Sequence, residues 1–162
     1  MIYNNLKELN QQLPNKGRLM SLDIGTKTIG VAICDGNWLI ANPKLTIARF
    51  GGKKDFLAII KIIKENQIVA IIIGLPLNMD GSVSKMSEFV RKFANNLDDF
   101  LSTNQIENKI AFFDERLSSF EAEEIMQDSK VRNNKRKQLI DQIAASVILQ
   151  GALDEMNLIK NI

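Results

Sequence analysis

The stretch that decides the fold reads RLMSLDIGTKTIGVAIC and spans residues 18–34. Two runs rich in apolar and β-branched residues, Arg18–Ile24 and Thr28–Cys34, lie on either side of the short turn Gly25-Thr26-Lys27. Runs of this kind on both sides of a turn predict two strands that pair antiparallel.

Strands and helices alternate after this first hairpin. Asp35-Gly36 is a hairpin turn signal and predicts a third, short strand over Asn37–Asn42, which completes an antiparallel meander. The remaining periodicity predicts helix Lys53–Asn66, strand Ile68–Ile73, loop Gly74–Ser82, helix Ser84–Leu101, strand Lys109–Phe113, helix Ser118–Asp128 and helix Gln138–Leu158. Such alternation implies parallel pairing with right-handed crossovers. The predicted fold class is α/β, a mixed sheet with an antiparallel meander and then parallel strands, flanked by helices on both faces.

The length of 162 residues fits one domain with a short addition at its start. Leucines at helical spacing predict a short helix over residues 3–13. These leucines are Leu6, Leu9 and Leu13. We therefore divide the chain into an N-terminal helical extension, residues 1–16, and one domain, residues 17–162.

Composition excludes several classes of mechanism. Histidine is absent, which rules out imidazole as a base or metal ligand. The one cysteine, Cys34, lies in an apolar run and indicates a buried thiol in a reducing compartment. No stretch resembles a signal peptide, and no run reaches the roughly 20 apolar residues of a membrane helix, so we expect a cytoplasmic protein without a membrane partner. The net charge of +2 does not by itself indicate nucleic-acid binding.

A carboxylate stands at the end of the first strand of the hairpin. Asp23 follows an apolar run and precedes Gly25, where the chain can turn tightly and admit a ligand close to its backbone. A carboxylate at the end of a central strand requires a partner, and a cation is the natural one. The alternative is an aspartate that only caps the turn.

Two more acids, Asp114 and Glu115, directly follow the predicted strand Lys109–Phe113. Ligands of open α/β sheets gather beyond the carboxyl ends of the strands, so a functional role is favoured. The alternative is that these acids cap the next helix, although Ser118 and Glu121 already form a capping-box pattern there.

One charge interrupts the apolar final helix. Asp141 is the only formal charge between Lys137 and Asp154, and it lies on the helix face that is predicted to pack on the sheet. The residues that share this face are Ala144, Ala145, Ile148 and Ala152. A metal shared with other carboxylates would relieve the cost of burying this charge. The alternative is an acid favoured only by the dipole of the helix N-terminus.

Carboxylates without histidine or an accessible thiol favour a hard, oxygen-ligated cation. We therefore expect Mg²⁺ or Mn²⁺ as the cofactor rather than zinc. Because cations held in this way serve phosphoryl chemistry, the acids predict metal-dependent hydrolysis of phosphodiester bonds.

Four motifs resemble the YqgF family, also called RuvX, over residues 18–155. They are LDIGTKTIGVA at 22–32, IGLPLNMDGS at 73–82, DERLSSFEA at 114–122 and DQIAASVIL at 141–149. The resemblance implies a ribonuclease-H-like fold and a bacterial cytoplasmic nuclease that matures the 5′ end of precursor 16S ribosomal RNA in ribosome biogenesis. The alternative activity that it implies is Holliday junction resolution on branched DNA.

Carried over residue by residue, the acidic site of the family falls on Asp23, Glu115 and Asp141. Asp114 remains the alternative to Glu115 as the second acidic ligand, and the resemblance leaves open one or two metal ions. The chain departs from the family in Ser118-Ser119, where threonines are common, and in its longer N-terminal extension.

Basic and polar side chains near the acids are candidates for substrate binding, because a nuclease must neutralise phosphates. They are Lys27, Arg116, Asn78, Ser82, Lys130, Arg132, Lys135, Arg136 and Lys137. The last five belong to Ser129–Lys137, which is predicted to be a basic loop; the alternative is a loop that is only solvated. Lys27 and Arg116 have a second explanation, the balancing of neighbouring acids. Trp38 and Phe50 are candidates for stacking on bases, although core packing is favoured for both.

Two rival functions compete with a nuclease. Kinases and ATPases of the actin type also place Asp-x-Gly-Thr at the end of a first strand, but they need two such domains to clamp a nucleotide. A non-catalytic nucleic-acid-binding module does not need the acids. We expect structured RNA or branched DNA as the partner and a monomer or homodimer as the assembly.

Overall fold

A six-stranded mixed sheet organises the part of the chain that the computed structural model describes, residues 1–114 and 133–160. In chain order its strands are β1 (Ile2–Tyr3), β2 (Arg18–Ile24), β3 (Thr28–Cys34), β4 (Ala41–Ala48), β5 (Ile68–Leu75) and β6 (Lys109–Asp114). The helices in these ranges are α1 (Leu6–Gln11), α2 (Lys53–Asn66), α3 (Lys85–Thr103) and α4 (Asn133–Lys160).

The strand order β1-β6-β5-β2-β3-β4 combines two kinds of pairing. β2, β3 and β4 form the antiparallel meander, whereas β5 runs parallel to β2, β6 to β5 and β1 to β6. The predicted mixed sheet is therefore confirmed. Because β2, β5 and β6 are parallel, their carboxyl ends meet at one edge of the sheet, where Asp23 and Asp114 lie.

Helices cover both faces of the sheet. β5 is buried along almost its whole length because both of its faces meet a helical layer. On one face α2 and α3 pack through residues such as Ile59 and Leu97; on the other, α1 and α4 pack through Leu9 and Ile148. Cys34 is buried in this second core, as predicted. Within the described ranges, no helix has both the length and the apolarity needed to cross a bilayer.

The third strand of the meander begins later than the sequence predicts. The prediction is Asn37–Asn42, whereas β4 spans Ala41–Ala48. The Asp35 carboxylate accepts hydrogen bonds from three backbone N–H groups and so holds residues 35–40 in a wide turn. Trp38, inside this turn, adopts a left-handed φ of 57°.

The N-terminal extension also differs from its prediction. The helix expected over residues 3–13 is only Leu6–Gln11, because the Asn5 side chain accepts the N–H of Glu8 and caps it there. Ile2–Tyr3 forms a strand at the sheet edge, next to β6.

The final helix begins before the predicted Gln138. α4 starts at Asn133, so the predicted loop is wrong for residues 133–137, where lysine and arginine continue the helix as good helix formers. Residues 129–132 and the predicted helix Ser118–Asp128 lie outside the described residues. β2, β3 and α2 match their predictions, and the bounds of β5, α3 and β6 differ by at most two residues.

Candidate active site

Asp23 and Asp141 come together because a glycine lets α4 approach the sheet. Asp23 pairs in register with Gly30 of β3. A Cβ added at Gly30 would overlap the backbone carbonyl oxygen of Asp141, so only glycine permits this contact. The backbone of α4 therefore meets the meander at Asp141, beside Asp23.

Hydroxyl groups fix α4 over the meander at successive points. Thr28 donates from Oγ1 to Oδ2 of Asp141 at 2.6 Å, which orients that carboxylate. One turn later, the buried Ser21 donates from Oγ to the carbonyl oxygen of Ala145 at 2.6 Å. Thr46 donates to the carbonyl oxygen of Gln138 at 2.8 Å on the other side of Asp141. These three hydroxyls leave no signal in the sequence, because each acts on a residue far away in the chain.

The electrostatics of this pair disfavour two negative charges. Burial, and to a smaller extent the neighbouring Asp141 carboxylate, raise the pKa of Asp23 from 3.8 to about 6. Within residues 1–114 and 133–160, no cationic side chain forms an ion pair with Asp23 or Asp141. A divalent cation is the ligand that would relieve both the burial and the repulsion.

Asp114 ends β6 on the same sheet edge but two strands away from Asp23. It pairs in register with Leu75 of β5, so its backbone lies roughly 10 Å from that of β2. Along β6, Phe112 packs on the core that contains α3 and Phe113 on the core that contains α4. Alternation therefore directs Asp114 to the α3 side, away from the face of Asp141.

A three-carboxylate group is not completed by the described residues. Within 1–114 and 133–160, no three acidic or cysteine side chains lie close enough together to hold a metal ion. Glu115, the remaining acid of the sequence prediction, lies outside these ranges. The structure thus brings together two of the predicted acids, Asp23 and Asp141.

The basic and polar candidates fall into three places. Lys27 is exposed in the turn after β2, and its carbonyl oxygen accepts the N–H of Arg49. Asn78 and Ser82 close the loop after β5 by bonding to each other, from Nδ2 to Oγ at 2.9 Å. The basic residues Lys135, Arg136 and Lys137 are exposed on the first turns of α4. Arg116, Lys130 and Arg132 lie outside the described residues.

The two aromatic candidates have opposite outcomes. Trp38 packs against the α4 core and donates from Nε1 to the carbonyl oxygen of Gly17 at 2.8 Å, so its predicted packing role is confirmed. Phe50 is 79% exposed, and the prediction that it packs in the core is wrong. The preceding Arg49 packs inward instead, and its guanidinium lies over the rings of Phe89 and Phe93.

A cavity of about 900 Å³ opens at the carboxyl end of β6 and reaches both faces of the strand, since Phe112 and Phe113 both line it. Asp114, Asp154 and Glu155 line it, whereas Asp23 and Asp141 do not. The candidate active site is the Asp23–Asp141 pair, because it contains the two predicted acids that the fold brings together.

Comparisons with known proteins match this chain over nearly its whole length. A family model described as "RuvX: Holliday junction resolvase" matches residues 17–155. A protein of Paracoccus denitrificans named "Putative pre-16S rRNA nuclease" is 40% identical over 156 residues, which cover 96% of each chain. A protein of the same name from Sphingopyxis alaskensis is 43% identical over 144 residues, 89% of this chain and 91% of the relative.

Solved structures with a similar fold include two resolvases. RuvC of Thermus thermophilus in complex with a Holliday junction substrate aligns with a TM-score of 0.52 at 8% identity, over 86% of this chain and 96% of its own. The yeast mitochondrial Holliday junction resolvase aligns with a TM-score of 0.53 at 8% identity, over 96% of this chain and 86% of its own. At this identity the likeness concerns the fold, which is ribonuclease-H-like as predicted.

Proposed function

The chain belongs to the RuvX family of Holliday junction resolvases, and we propose that it is a divalent-metal-dependent nuclease that processes the 5′ end of precursor 16S ribosomal RNA. Nuclease activity follows from the family and its relatives. The metal dependence is supported by one observation above all, the Asp23 carboxylate placed beside Asp141 with a pKa raised to about 6.

The residues present fit a hard cation. Asp23 and Asp141 offer carboxylate oxygens, the ligands that Mg²⁺ and Mn²⁺ prefer, and the sequence has no histidine that would favour zinc. As the third ligand we favour Glu115 over Asp114, because alternation along β6 directs Asp114 to the opposite face. When bound, the cation supplies activation of water and stabilisation of the leaving oxygen.

The side chains of the protein position the reacting groups. The hydroxyl of Thr28 holds one oxygen of Asp141, and the close contact at Gly30 keeps α4 in register with Asp23. Lys27 lies just after Asp23 and offers a positive charge to a phosphate. Lys135, Arg136 and Lys137 precede Asp141 by four to six residues on the same helix and extend this basic surface.

The substrate proposal rests on the relatives, which are named as nucleases of pre-16S rRNA at about 40% identity. The second candidate is cleavage of a Holliday junction, which the description of the family model favours. We place the reaction in the cytoplasm, where a free buried thiol such as Cys34 stays reduced.

A side-by-side cleavage assay tests this function. Precursor 16S RNA and a synthetic four-way DNA junction are incubated with wild type, Asp23→Asn and Asp141→Asn, with Mg²⁺, with Mn²⁺ or with EDTA. We expect RNA cleavage by the wild type only with metal, and a loss of at least about a hundredfold in either variant. Glu155→Gln, which removes an exposed acid elsewhere on α4, is the matched control and should cleave normally.

Two results would contradict the proposal. Full cleavage by Asp23→Asn would show that the proposed site is wrong. Cleavage of the junction without cleavage of the RNA would replace the proposed substrate by the second candidate.

A further inference from the structure

A solvent-exposed aromatic side chain lies near the candidate active site. Phe50 follows β4 in the short loop that leads into α2, and it is 79% exposed, more than any other large apolar residue in the described ranges. Leaving a phenylalanine ring in water forgoes the free energy of its burial. The contacts around Phe50 show how its backbone is held in this position.

A buried carboxylate fixes the loop that carries Phe50. The Asp55 carboxylate, only 1% exposed, accepts the N–H of Phe50 at 3.0 Å and the N–H of Gly51 at 3.2 Å. The same carboxylate accepts from Nε of Arg49 at 3.0 Å. The backbone of Phe50 is therefore held by a buried acid while its ring remains outside, so little ordering entropy is lost when a ligand binds the ring.

The loop is joined directly to the turn that follows Asp23. Ala48 pairs with Thr28, and Arg49 donates its backbone N–H to the carbonyl oxygen of Lys27 at 2.9 Å. Nη1 of Arg49 donates to the carbonyl oxygen of Gly25 at 3.0 Å. Phe50 thus lies two residues past a strand pair whose Thr28 hydroxyl contacts Asp141, on the order of 10 Å from that hydroxyl.

That separation matches a nucleic-acid strand that passes the site. Phosphates on one strand advance roughly 3.4 Å each when stacked and farther when extended, so a base one to three nucleotides from the Asp23–Asp141 pair reaches Phe50. Lys27, Lys53 and Lys54 are exposed around this path, and Nζ of Lys54 lies 5.8 Å from the centre of the Phe50 ring. An aromatic ring among cations is how proteins bind unpaired strands.

We propose that Phe50 is a stacking platform for an unpaired base of the substrate, flanking the cleaved bond, with Lys53 and Lys54 neutralising the adjacent phosphates. This inference rests on the proposed nuclease function, which supplies the strand. Because every base has a stacking face, the platform contributes affinity and strand position without selecting a sequence.

Binding without cleavage tests the platform. Short single-stranded RNAs carrying 2-aminopurine at successive positions are titrated in EDTA, and affinity is read by anisotropy and stacking by quenching of 2-aminopurine. Phe50→Ala should weaken binding about 5- to 100-fold and abolish quenching at the one or two positions that show it in the wild type. Phe50→Trp should retain both. For a blunt duplex, which offers no unpaired base, Phe50→Ala should reduce the affinity much less.

Two further variants separate stacking from general apolarity. Phe50→Leu keeps an apolar side chain but has no ring face, and it should behave like Phe50→Ala. Leu57→Ala removes a 55%-exposed leucine from α2 and should bind like the wild type. Equal affinity of Phe50→Leu and wild type, or an equal loss in Leu57→Ala, would overturn the proposal.

The failure of this inference differs from the failure of the nuclease function. If Asp23→Asn is inactive while Phe50→Ala binds and quenches normally, the platform is wrong and the nuclease stands. If the RNA stacks on Phe50 but is never cleaved, the platform stands and the nuclease is wrong. A wild type that binds no nucleic acid would overturn both.

Discussion

Two carboxylate sites on either side of one turn have opposite chemistry. Asp55 is almost wholly buried, and Arg49 together with two backbone N–H groups satisfies its charge. Asp23 is partly buried beside another carboxylate, Asp141, and in the described part of the chain no cation pairs with either. A satisfied carboxylate such as Asp55 stabilises the fold, whereas a carboxylate with a perturbed pKa beside another carboxylate is frequent at functional sites.

The turn itself is held by both sites. Arg49 donates to the carbonyl oxygen of Gly25 at its start, and Thr28 at its end donates to Asp141. The Arg49–Asp55 pair thus supports the turn that also contacts the Asp23–Asp141 pair. Substitutions in the two sites should therefore have different effects on stability and on activity.

Breaking the satisfied site should have the largest effect on stability. Arg49→Ala leaves the Asp55 charge buried without its cation, and we expect a loss of about 3 to 5 kcal/mol in the free energy of unfolding. Urea denaturation measures it. Lys61→Ala is the control, since it breaks an exposed pair with Glu65 at 3.9 Å and should cost at most about 0.5 kcal/mol. Equal losses would mean that the buried pair is no support.

Neutralising Asp23 should stabilise the metal-free protein. With the pKa of Asp23 raised from 3.8 to about 6, the unfolded chain releases this proton between about pH 4 and 6 while the folded protein keeps it. The free energy of unfolding therefore falls as pH rises through this window, by about 2 to 3 kcal/mol, and is level above it. In EDTA, Asp23→Asn should be more stable than wild type by this amount near pH 8 and equal to it near pH 4.

A destabilised Asp23→Asn variant would contradict this prediction. If Asp23→Asn unfolds more easily than the wild type near pH 8 in EDTA, the carboxylate of Asp23 is already satisfied in the metal-free protein. The contrast with Asp55 would then be lost.

Moving Asp141 away from Asp23 without removing either acid should lower the free energy of unfolding less than Arg49→Ala does. In Gly30→Ala the new Cβ meets the backbone oxygen of Asp141 and pushes α4 outward, at about 1 to 3 kcal/mol. Cleavage should fall with it, because Asp141 moves away from Asp23. Gly36→Ala is the matched control, since a Cβ there meets nothing within 4 Å. A Gly30→Ala protein with wild-type cleavage would show that the close contact does not position Asp141.

Local sequence patterns predict the Asp23–Asp141 pair far better than the Arg49–Asp55 pair. Asp23 and Asp141 are visible in the sequence because each is a charge inside an apolar strand or helix. The Arg49–Asp55 pair leaves no such signal, and neither does the exposure of Phe50, since both depend on how the end of β4 meets α2 and the Gly25 turn. The late start of β4 has the same origin, because the Asp35 side chain, and not strand propensity, sets the width of its turn.

The affinity of the acid pair for a divalent cation tests the central claim most directly. Mn²⁺ is titrated calorimetrically into metal-free wild type, Asp23→Asn and Glu155→Gln near pH 8. We predict that wild type and Glu155→Gln bind with equal affinity and that Asp23→Asn binds at least about tenfold more weakly. Wild-type affinity in Asp23→Asn would contradict the account, because the cation would then be held by groups other than the Asp23–Asp141 pair.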